Sequence, residues 1–149
     1  AEVAEMHEMV MGDGDVMPVS ATSGSDEYAQ AFHMNADTVA GAIAEAIGAE
    51  KLVYLTDIEG LRRDVADPSS LIRQATAEEL DELVAEGIIA GGMIPKVDSC
   101  THAVRNGVHR AHILDGRIAH VLLLEIFTDA GIGTMVMHHR IDPLEGAPE

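Results

Sequence analysis

The stretch "KLVYLTD" (51–57) decides the fold class, because it is a short apolar run with polar residues at both ends. Its length and its valine and tyrosine content favour a buried β-strand. Just before it, "DTVAGAIAEAIG" (37–48) predicts a helix that Gly48 can end. That helix places four apolar residues on one face: Val39, Ile43, Ala46 and Ile47. A helix followed by a buried strand is typical of α/β proteins.

Two more helices are predicted downstream, after a loop over 58–70. The segment 76–87 opens with a capping-box pattern, a threonine followed three residues later by a glutamate. The next helix begins at Pro95, a residue suited to a first helical turn, and ends at Gly107. The apolar spacing predicts the buried faces of these two helices to be Leu80, Leu83, Val84, Val97, Cys100 and Val104.

The remaining segments predict further strands and the domain division. "VHRAHIL" (108–114) and "GTMVMHH" (133–139) predict strands, whereas "HVLLLEIF" (120–127) fits a helix or a buried strand equally well. The amino-terminal region predicts a helix, a strand and a loop, at 2–10, 16–20 and 22–27. The predicted units are a helix and linker over 1–15, a main unit over 16–137, and a tail over 138–149. This alternation predicts an α/β fold with a largely parallel sheet.

The chain has 149 residues and a formal net charge of −17, with 26 acidic residues against 9 lysines and arginines. Nucleic acids are bound by clustered cations, so we expect no nucleic-acid partner. The acidic surface and the two lysines suggest a salt-adapted, halophilic cytosol. The single cysteine excludes an internal disulfide and fits a reducing compartment. Because no apolar run is long enough to span a membrane, we expect a cytoplasmic protein without membrane contact.

The segment "GGMIPKV" (91–97) carries one of the two lysines, Lys96. A helix start exposes backbone N–H groups, and preceding glycines allow a ligand to approach the backbone closely. A lysine at such a place adds a mobile charge, and the combination is suited to binding phosphate. The alternative is a solvated surface lysine beside a tight turn, which the local pattern alone favours.

Two other polar groups have a functional and a structural interpretation. Asn35 and Asp37 open the helix before the first strand, where they could contact a substrate and a lysine, or serve as N-cap and dipole-matching acid. Thr56 and Asp57 end the strand at the sheet edge where α/β proteins bind ligands, or they form a strand-end turn. The residues alone leave both pairs of alternatives open.

Other chemistries find no support in the sequence. The eight histidines show no metal-ligand spacing, and the chain lacks a Walker A motif, G-x-G-x-x-G and G-x-S-x-G. We therefore predict neither a metal site held by the protein nor a nucleophile paired with a base.

Three segments together support a family assignment: "FHMNADTVAGAIAEAIGAEKLVYLTDIEGL" (32–61), "TAEELDELVAEGIIAGGMIPKVDSC" (76–100) and "AHILDGRIAHVLLLEIFTDAGIGTMV" (111–136). In this order they resemble the carboxyl-terminal half of the N-acetylglutamate kinases, within the amino acid kinase family. The resemblance covers about residues 16–137. It implies a three-layer α/β/α fold in which the amino-terminal half binds the acyl amino acid and the carboxyl-terminal half binds ATP.

The resemblance also implies roles for individual residues. Lys96 would contact the nucleotide phosphates, and Asp37 would organise the catalytic lysines. Asn35 and His33 fall in the substrate-side motif. Around the nucleotide would lie Thr56, Asp57, Gly91, Gly92 and Met93. Positions at or near the arginine inhibitor site of regulated members are matched by His112, Glu125, Gly131 and Gly133.

The chemistry that the resemblance implies is transfer of phosphate from ATP to the γ-carboxylate of N-acetyl-L-glutamate, a step of arginine synthesis. That carboxylate is ionised at neutral pH, so the reaction needs no general base. It needs alignment and charge neutralisation by lysines, glycine-rich backbone and Mg²⁺.

Two departures from the family pattern keep alternatives open. His33 stands where the family motif begins with asparagine, so a related kinase acting on another carboxylate or on carbamate is a rival. The amino-terminal half of the family is absent from this sequence, so we expect the chain alone not to be a competent kinase. A second rival is therefore a non-catalytic module that senses nucleotide or arginine. We also expect a homo-oligomer.

Overall fold

A computed structural model of the protein describes residues 19, 23–25, 31–33, 35–127 and 131–139. Two short strands, β1 (Ser23–Ser25) and β2 (Ala31–His33), pair antiparallel. The prediction of a loop over 22–27 is therefore wrong at its centre, because strand pairing overrides the turn-like composition of "SGS". The helix predicted at 2–10, the strand at 16–20 apart from Val19, and the tail beyond residue 139 lie outside the described residues.

The main sheet has four strands in the order β3, β5, β6, β4. They are β3 (Lys51–Thr56), β4 (Gln74–Thr76), β5 (Arg110–Asp115) and β6 (Thr134–Met137). β3 and β5 are parallel, β4 and β6 are parallel, and β5 and β6 are antiparallel. The predicted α/β class with a mostly parallel sheet is confirmed. Parallel pairing of β3 with β5 brings Thr56 beside Asp115, so both strands end at one edge.

Three helices cover one face of this sheet: α1 (Ala36–Ala46), α2 (Ala77–Ala85) and α3 (Ile94–Arg105). α3 is central, because it packs against α1, α2 and three of the strands. The predicted face of α3 is confirmed, since Val97, Cys100 and Val104 are buried. Burial raises the pKa of the Cys100 thiol to about 12. The core between helices and sheet also contains Leu52, Tyr54, Leu80, Leu83, Ala111, Ile113 and Val136.

The opposite face of the sheet carries α4 (Val121–Phe127). Successive strand residues point to opposite faces, and Ile113 belongs to the core under α3. The neighbouring His112 therefore points the other way, and its Nδ1 lies 3.0 Å from Glu125 Oε1 on α4. This arrangement gives the three layers that the family resemblance implies. Within the segment 120–127, residues Val121–Phe127 form a helix rather than a strand.

Local signals explain where the helices begin and end. Thr76 and Glu79 form a complete capping box at the start of α2, as predicted. Gly48 and Gly87 follow α1 and α2 with positive φ values of 63° and 74°.

The predicted apolar face of α1 is partly wrong, because Ala46 is exposed while Gly41 and Ala44 are buried. α1 approaches α3 through these small residues, which allow the two helices to pack closely. In the described part of the chain, no helix has both the length and the apolar character required to cross a bilayer.

Candidate functional site

Lys96 and Asp37 form an ion pair between α3 and α1. Lys96 Nζ donates hydrogen bonds to both carboxylate oxygens of Asp37, at 2.7 Å and 3.0 Å. The side chains retain 26% and 17% of their accessible surface, so the pair is partly buried and still open to a ligand. Lys96 is therefore paired and partly buried rather than freely solvated. The structure brings together the two residues that sequence analysis assigned to catalysis.

Asn35 acts as the N-cap of α1. Its Oδ1 accepts a hydrogen bond from the backbone N–H of Asp37 at 2.8 Å, which satisfies a donor that the helix itself leaves free. The structural interpretation of Asn35 is confirmed, and the cap fixes the first turn that carries Asp37. His33 is the last residue of β2 and lies two positions before this cap.

The glycine stretch forms a single 3₁₀ turn, Gly91–Met93, directly before α3. Gly91 has a φ of 63°, and a Cβ at either Gly91 or Gly92 would meet open space. The start of α3 has no side-chain cap. The N–H of Ile94 donates to Gly91 O and Pro95 has no N–H, so the helix start contributes mainly its partial positive charge near Lys96. These are the elements of a phosphate site.

A cleft of about 280 Å³ adjoins this turn. Met93 and Asp57, both predicted to lie near a nucleotide, are part of its wall. The other lining residues are Ile58, Glu59, Gly60, Leu61, Arg62, Val65, Ile88, Ile89, Ala90 and Arg117. The wall combines apolar side chains with two guanidinium groups. Thr56 behaves as the strand-end turn alternative predicts, because its hydroxyl accepts a hydrogen bond from the Ile58 N–H at 3.2 Å.

The loop that lines this cleft is tied to β6. Thr134 Oγ1 accepts a hydrogen bond from the Leu61 N–H at 2.8 Å and donates one to Ile72 O at 2.6 Å. Thr134 is fully buried, and a Cβ at Gly60 would crowd its hydroxyl. The Thr134 hydroxyl therefore ties this loop to a distant strand, in addition to the backbone hydrogen bond from Ile72 N–H to Leu61 O.

Arg117 was not identified from the sequence. Its Nε and one terminal nitrogen donate to the two oxygens of Asp115, each at 2.8 Å. These hydrogen bonds lower the pKa of Asp115 to about 2, so the carboxylate is charged throughout the physiological range. An acid two residues before an arginine, across the Asp115–Gly116 turn, is the signal that could have indicated this pair.

Tyr54 and Ser99 were also missed. Both hydroxyls lie 2.7 Å from the backbone carbonyl oxygen of Asp37, and their own oxygens lie 2.6 Å apart. Ser99 follows Lys96 by three positions on α3, a spacing that places both on one helical face. That spacing could have indicated Ser99, whereas nothing local indicates Tyr54.

The four residues matched to an arginine site lie together on the other side of the sheet. His112 is buried next to Glu125, and Glu125 Oε2 accepts a hydrogen bond from the Ile132 N–H at 3.0 Å. Ile132 lies between Gly131 and Gly133. Burial lowers the pKa of His112, although the nearby Glu125 carboxylate acts in the opposite direction. Neither ring nitrogen of this histidine has an aligned hydrogen bond within the described structure.

Within residues 35–127 and 131–139, no three or more histidine, cysteine, aspartate or glutamate side chains are grouped so that they could hold a metal ion. A cation that enters with a nucleotide is held mainly by the phosphates and needs only one or two carboxylates from the protein. Two carboxylates, Asp57 and Glu59, lie in the cleft wall, where Glu59 is paired with Arg62 at 2.7 Å.

The sequence and this site define the class of protein: the chain belongs to the amino acid kinase family, whose model matches residues 2–115. Among its relatives, the acetylglutamate kinase of Synechocystis sp. is 53% identical over 126 residues, which are 85% of this chain and 42% of that protein. The acetylglutamate kinase of Symbiobacterium thermophilum is 56% identical over 121 residues, or 81% of this chain and 41% of that protein. The chain thus spans about 40% of the length of these relatives.

A solved structure supports the same assignment. The N-acetylglutamate synthase of Neisseria gonorrhoeae, complexed with coenzyme A and L-arginine, superimposes with a TM-score of 0.70 and 31% sequence identity. The match covers 79% of this chain and 27% of that protein. The expected amino acid kinase fold is confirmed by this likeness.

Proposed function

We propose that this chain is the nucleotide-binding part of an acetylglutamate kinase, an enzyme of arginine biosynthesis that transfers phosphate from ATP to the γ-carboxylate of N-acetyl-L-glutamate. The observation that carries the proposal is the Lys96–Asp37 pair at the uncapped start of α3. Sequence identity above 50% to acetylglutamate kinases supports the choice within the family.

Each part of the site has a role in this reaction. Lys96 and the positive end of the α3 dipole would neutralise and align the phosphates, while Asp37 holds the ammonium group in place. The adjoining cleft would take the base and ribose, since its wall is largely apolar with a few polar groups. Mg²⁺ would reduce the repulsion between the phosphates and an acidic chain. A kinase that draws on ATP and carries a single thiol fits the cytoplasm.

Calorimetric titration of the purified chain with ATP and Mg²⁺ tests the nucleotide role. We expect one binding site per chain, with GTP and AMP as comparison ligands that bind more weakly. If a folded chain, verified by circular dichroism, takes up no ATP, the proposal fails.

A turnover assay tests the acceptor. The chain would be mixed with the amino-terminal part of a full-length relative, and ADP release would be followed with N-acetylglutamate, glutamate, aspartate or carbamate. We expect release with N-acetylglutamate and none from the chain alone. Faster release with another acceptor would favour the related kinases that His33 leaves open.

A second function, arginine sensing, is favoured by the His112–Glu125 pair. Within the described residues, His112 Nε2 has no hydrogen-bond partner and Nδ1 has only the Glu125 carboxylate at 3.0 Å. Together with that carboxylate, which keeps 13% of its side-chain surface accessible, this polar group is suited to a guanidinium or ammonium ligand. The likeness to an N-acetylglutamate synthase complexed with L-arginine supports this proposal. Titration with arginine and with citrulline, which lacks the guanidinium charge, tests it. We expect binding of arginine only, and equal binding of both would contradict it.

A further inference from the structure

Two side chains outside the ion pair converge on the backbone of Asp37. Tyr54 Oη and Ser99 Oγ each lie 2.7 Å from Asp37 O, and they lie 2.6 Å from one another. The Tyr54 and Ser99 hydroxyls each have one proton to donate, whereas the two hydroxyls and the Asp37 carbonyl oxygen make three contacts. The carbonyl oxygen can accept two hydrogen bonds. The two hydroxyls therefore act as a unit, and the loss of either one leaves the other with fewer partners.

This hydroxyl pair, Tyr54 and Ser99, is sheltered from water. Tyr54 keeps 6% and Ser99 keeps 8% of its accessible surface. Burial raises the pKa of the Tyr54 phenol to about 12, so the group stays protonated and able to donate at neutral pH. Hydrogen bonds in such an environment restrict the positions of their partners more strongly than exposed ones do.

The geometry joins three elements at one residue. α3 contacts Asp37 twice, through Lys96 at the carboxylate and through Ser99 at the carbonyl. β3 contributes the third contact through Tyr54. An ion pair that keeps a quarter of its lysine exposed does not fix its own geometry, because long side chains gain little from such pairing. Contacts to Asp37 beyond the ion pair and the Asn35 cap therefore help to hold the carboxylate at the lysine.

Gly41 makes room for this arrangement. An ideal Cβ at position 41 would overlap Ser99 Oγ, so any larger residue there would displace the serine hydroxyl. The buried small-residue face of α1 is thus explained by the same contact.

We propose that Tyr54 and Ser99 are positioning residues, which hold Asp37 so that its carboxylate fixes Lys96 for phosphate binding. The inference rests on the proposed nucleotide role of Lys96. Neither residue would touch the nucleotide, and both act through Asp37.

The test compares the wild-type full chain with three single variants, Tyr54→Phe, Ser99→Ala and Gly41→Ala. Each protein is labelled with ¹³C-lysine. The sequence has two lysines, so Lys96 and Lys51 give two sets of signals, and Lys51 is the internal reference. A held ammonium side chain keeps different chemical shifts for its two ε-methylene protons, whereas a freely rotating one averages them. ATP affinity is measured on the same samples.

The matched control is Thr101→Val. Thr101 is buried on α3, and its hydroxyl donates to Asp98 O at 3.0 Å, a bond from a hydroxyl to a carbonyl oxygen that does not involve Asp37. We expect the three test variants to merge the Lys96 ε-proton shifts and to weaken ATP binding by about threefold to tenfold, the scale of one hydrogen bond. The control should change neither quantity, even where its melting temperature falls equally.

The two proposals fail in distinguishable ways. If the wild-type chain binds no ATP, the nucleotide role is wrong, while the lysine signals still decide the positioning role. Unchanged Lys96 signals in folded Tyr54→Phe, or merged signals already in the wild-type chain, overturn the positioning role. If Ser99→Ala or Gly41→Ala does not fold, Tyr54→Phe decides, because it keeps the ring and removes one oxygen.

Discussion

Lys96 Nζ lies 2.7 Å from Asp37 Oδ2, although the two residues are 59 positions apart in the chain. They belong to different helices, so the pair exists only when α1 and α3 are docked. The integrity of the proposed phosphate site is therefore tied to the packing of that helix pair. Effects on folding stability and on ligand binding can be separated only with variants that are expected to change one of these two quantities.

Replacing Lys96 with alanine removes the cation that we propose meets the phosphates, and it leaves the Asp37 carboxylate without its ion-pair partner. We expect ATP affinity to fall by about 1–3 kcal/mol, the range for a charged hydrogen bond and an unpaired charged group. Calorimetry on Lys96→Ala and Lys51→Ala provides the comparison, since Lys51 is the other lysine and is exposed at the start of β3. Equal losses in the two variants would show that the effect is one of net charge only.

Gly133 combines a positive φ of 74° with a Cβ direction that runs into Ile113 O. Gly87 has the same φ of 74°, but a Cβ there would meet nothing within 4 Å. We expect Gly87→Ala to cost about 1–2 kcal/mol of unfolding free energy from backbone strain alone. Gly133→Ala should cost clearly more, because β5 or β6 must shift as well. Urea denaturation of both variants measures the difference, and equal costs would rule out the steric contact.

The hydroxyl of Thr134 supports the loop that lines the cleft. Thr134→Val keeps the shape but leaves the Leu61 N–H and the Ile72 carbonyl without this partner. We expect a loss of about 1–3 kcal/mol in stability, together with weaker ATP binding. Thr134→Ser restores the hydroxyl and should recover most of both, as thermal melts and calorimetry would show. A valine variant as stable as the serine variant would contradict this account.

The lowered pKa of His112 predicts a specific pH dependence of stability. Between that lowered pKa and the unfolded value near 6.5, the unfolded chain binds the additional proton, so unfolding becomes easier as the pH falls through this window. The groups facing the imidazole are the Glu125 carboxylate, which opposes the shift, and Lys51 and Arg110, which add to it.

Replacing His112 with glutamine should flatten this dependence. We expect the unfolding free energy of the wild-type chain to fall more steeply below pH 6.5, by at most about 1.4 kcal/mol per pH unit relative to His112→Gln. Urea denaturation between pH 5 and pH 8 measures the slopes. His102→Gln is the control, since His102 is exposed on α3. Parallel slopes in wild type and His112→Gln would refute the assignment.

Sequence reasoning was most successful where the signal is local. The capping box at Thr76, the proline at the start of α3 and the apolar run of β3 each depend on residues within one or two turns, and each is confirmed. Prediction failed where hydrogen bonding between separate segments determines the secondary structure. The "SGS" of β1 has loop-like composition and becomes a strand through hydrogen bonding to β2.

The site shows the same limit. Family resemblance indicated Lys96 and Asp37, but no spacing in the chain predicts that they touch, because their contact depends on how α1 packs on α3. The hydroxyls of Tyr54 and Ser99 belong to different elements and meet only at the Asp37 carbonyl. For α4, seven residues of apolar sequence were too short to distinguish helix from strand.

Cys100 gives the protein a built-in reporter. It is the one cysteine of the sequence, it is fully buried, and it is on the same helix as Lys96. A thiol reagent can reach the sulfur only when α3 transiently separates from the sheet. The labelling rate therefore measures how often this local opening occurs. A nucleotide bound at the beginning of that helix should stabilise the closed state and lengthen the labelling half-life. The reactivity of Cys100 would then report how much of the protein is occupied by ligand.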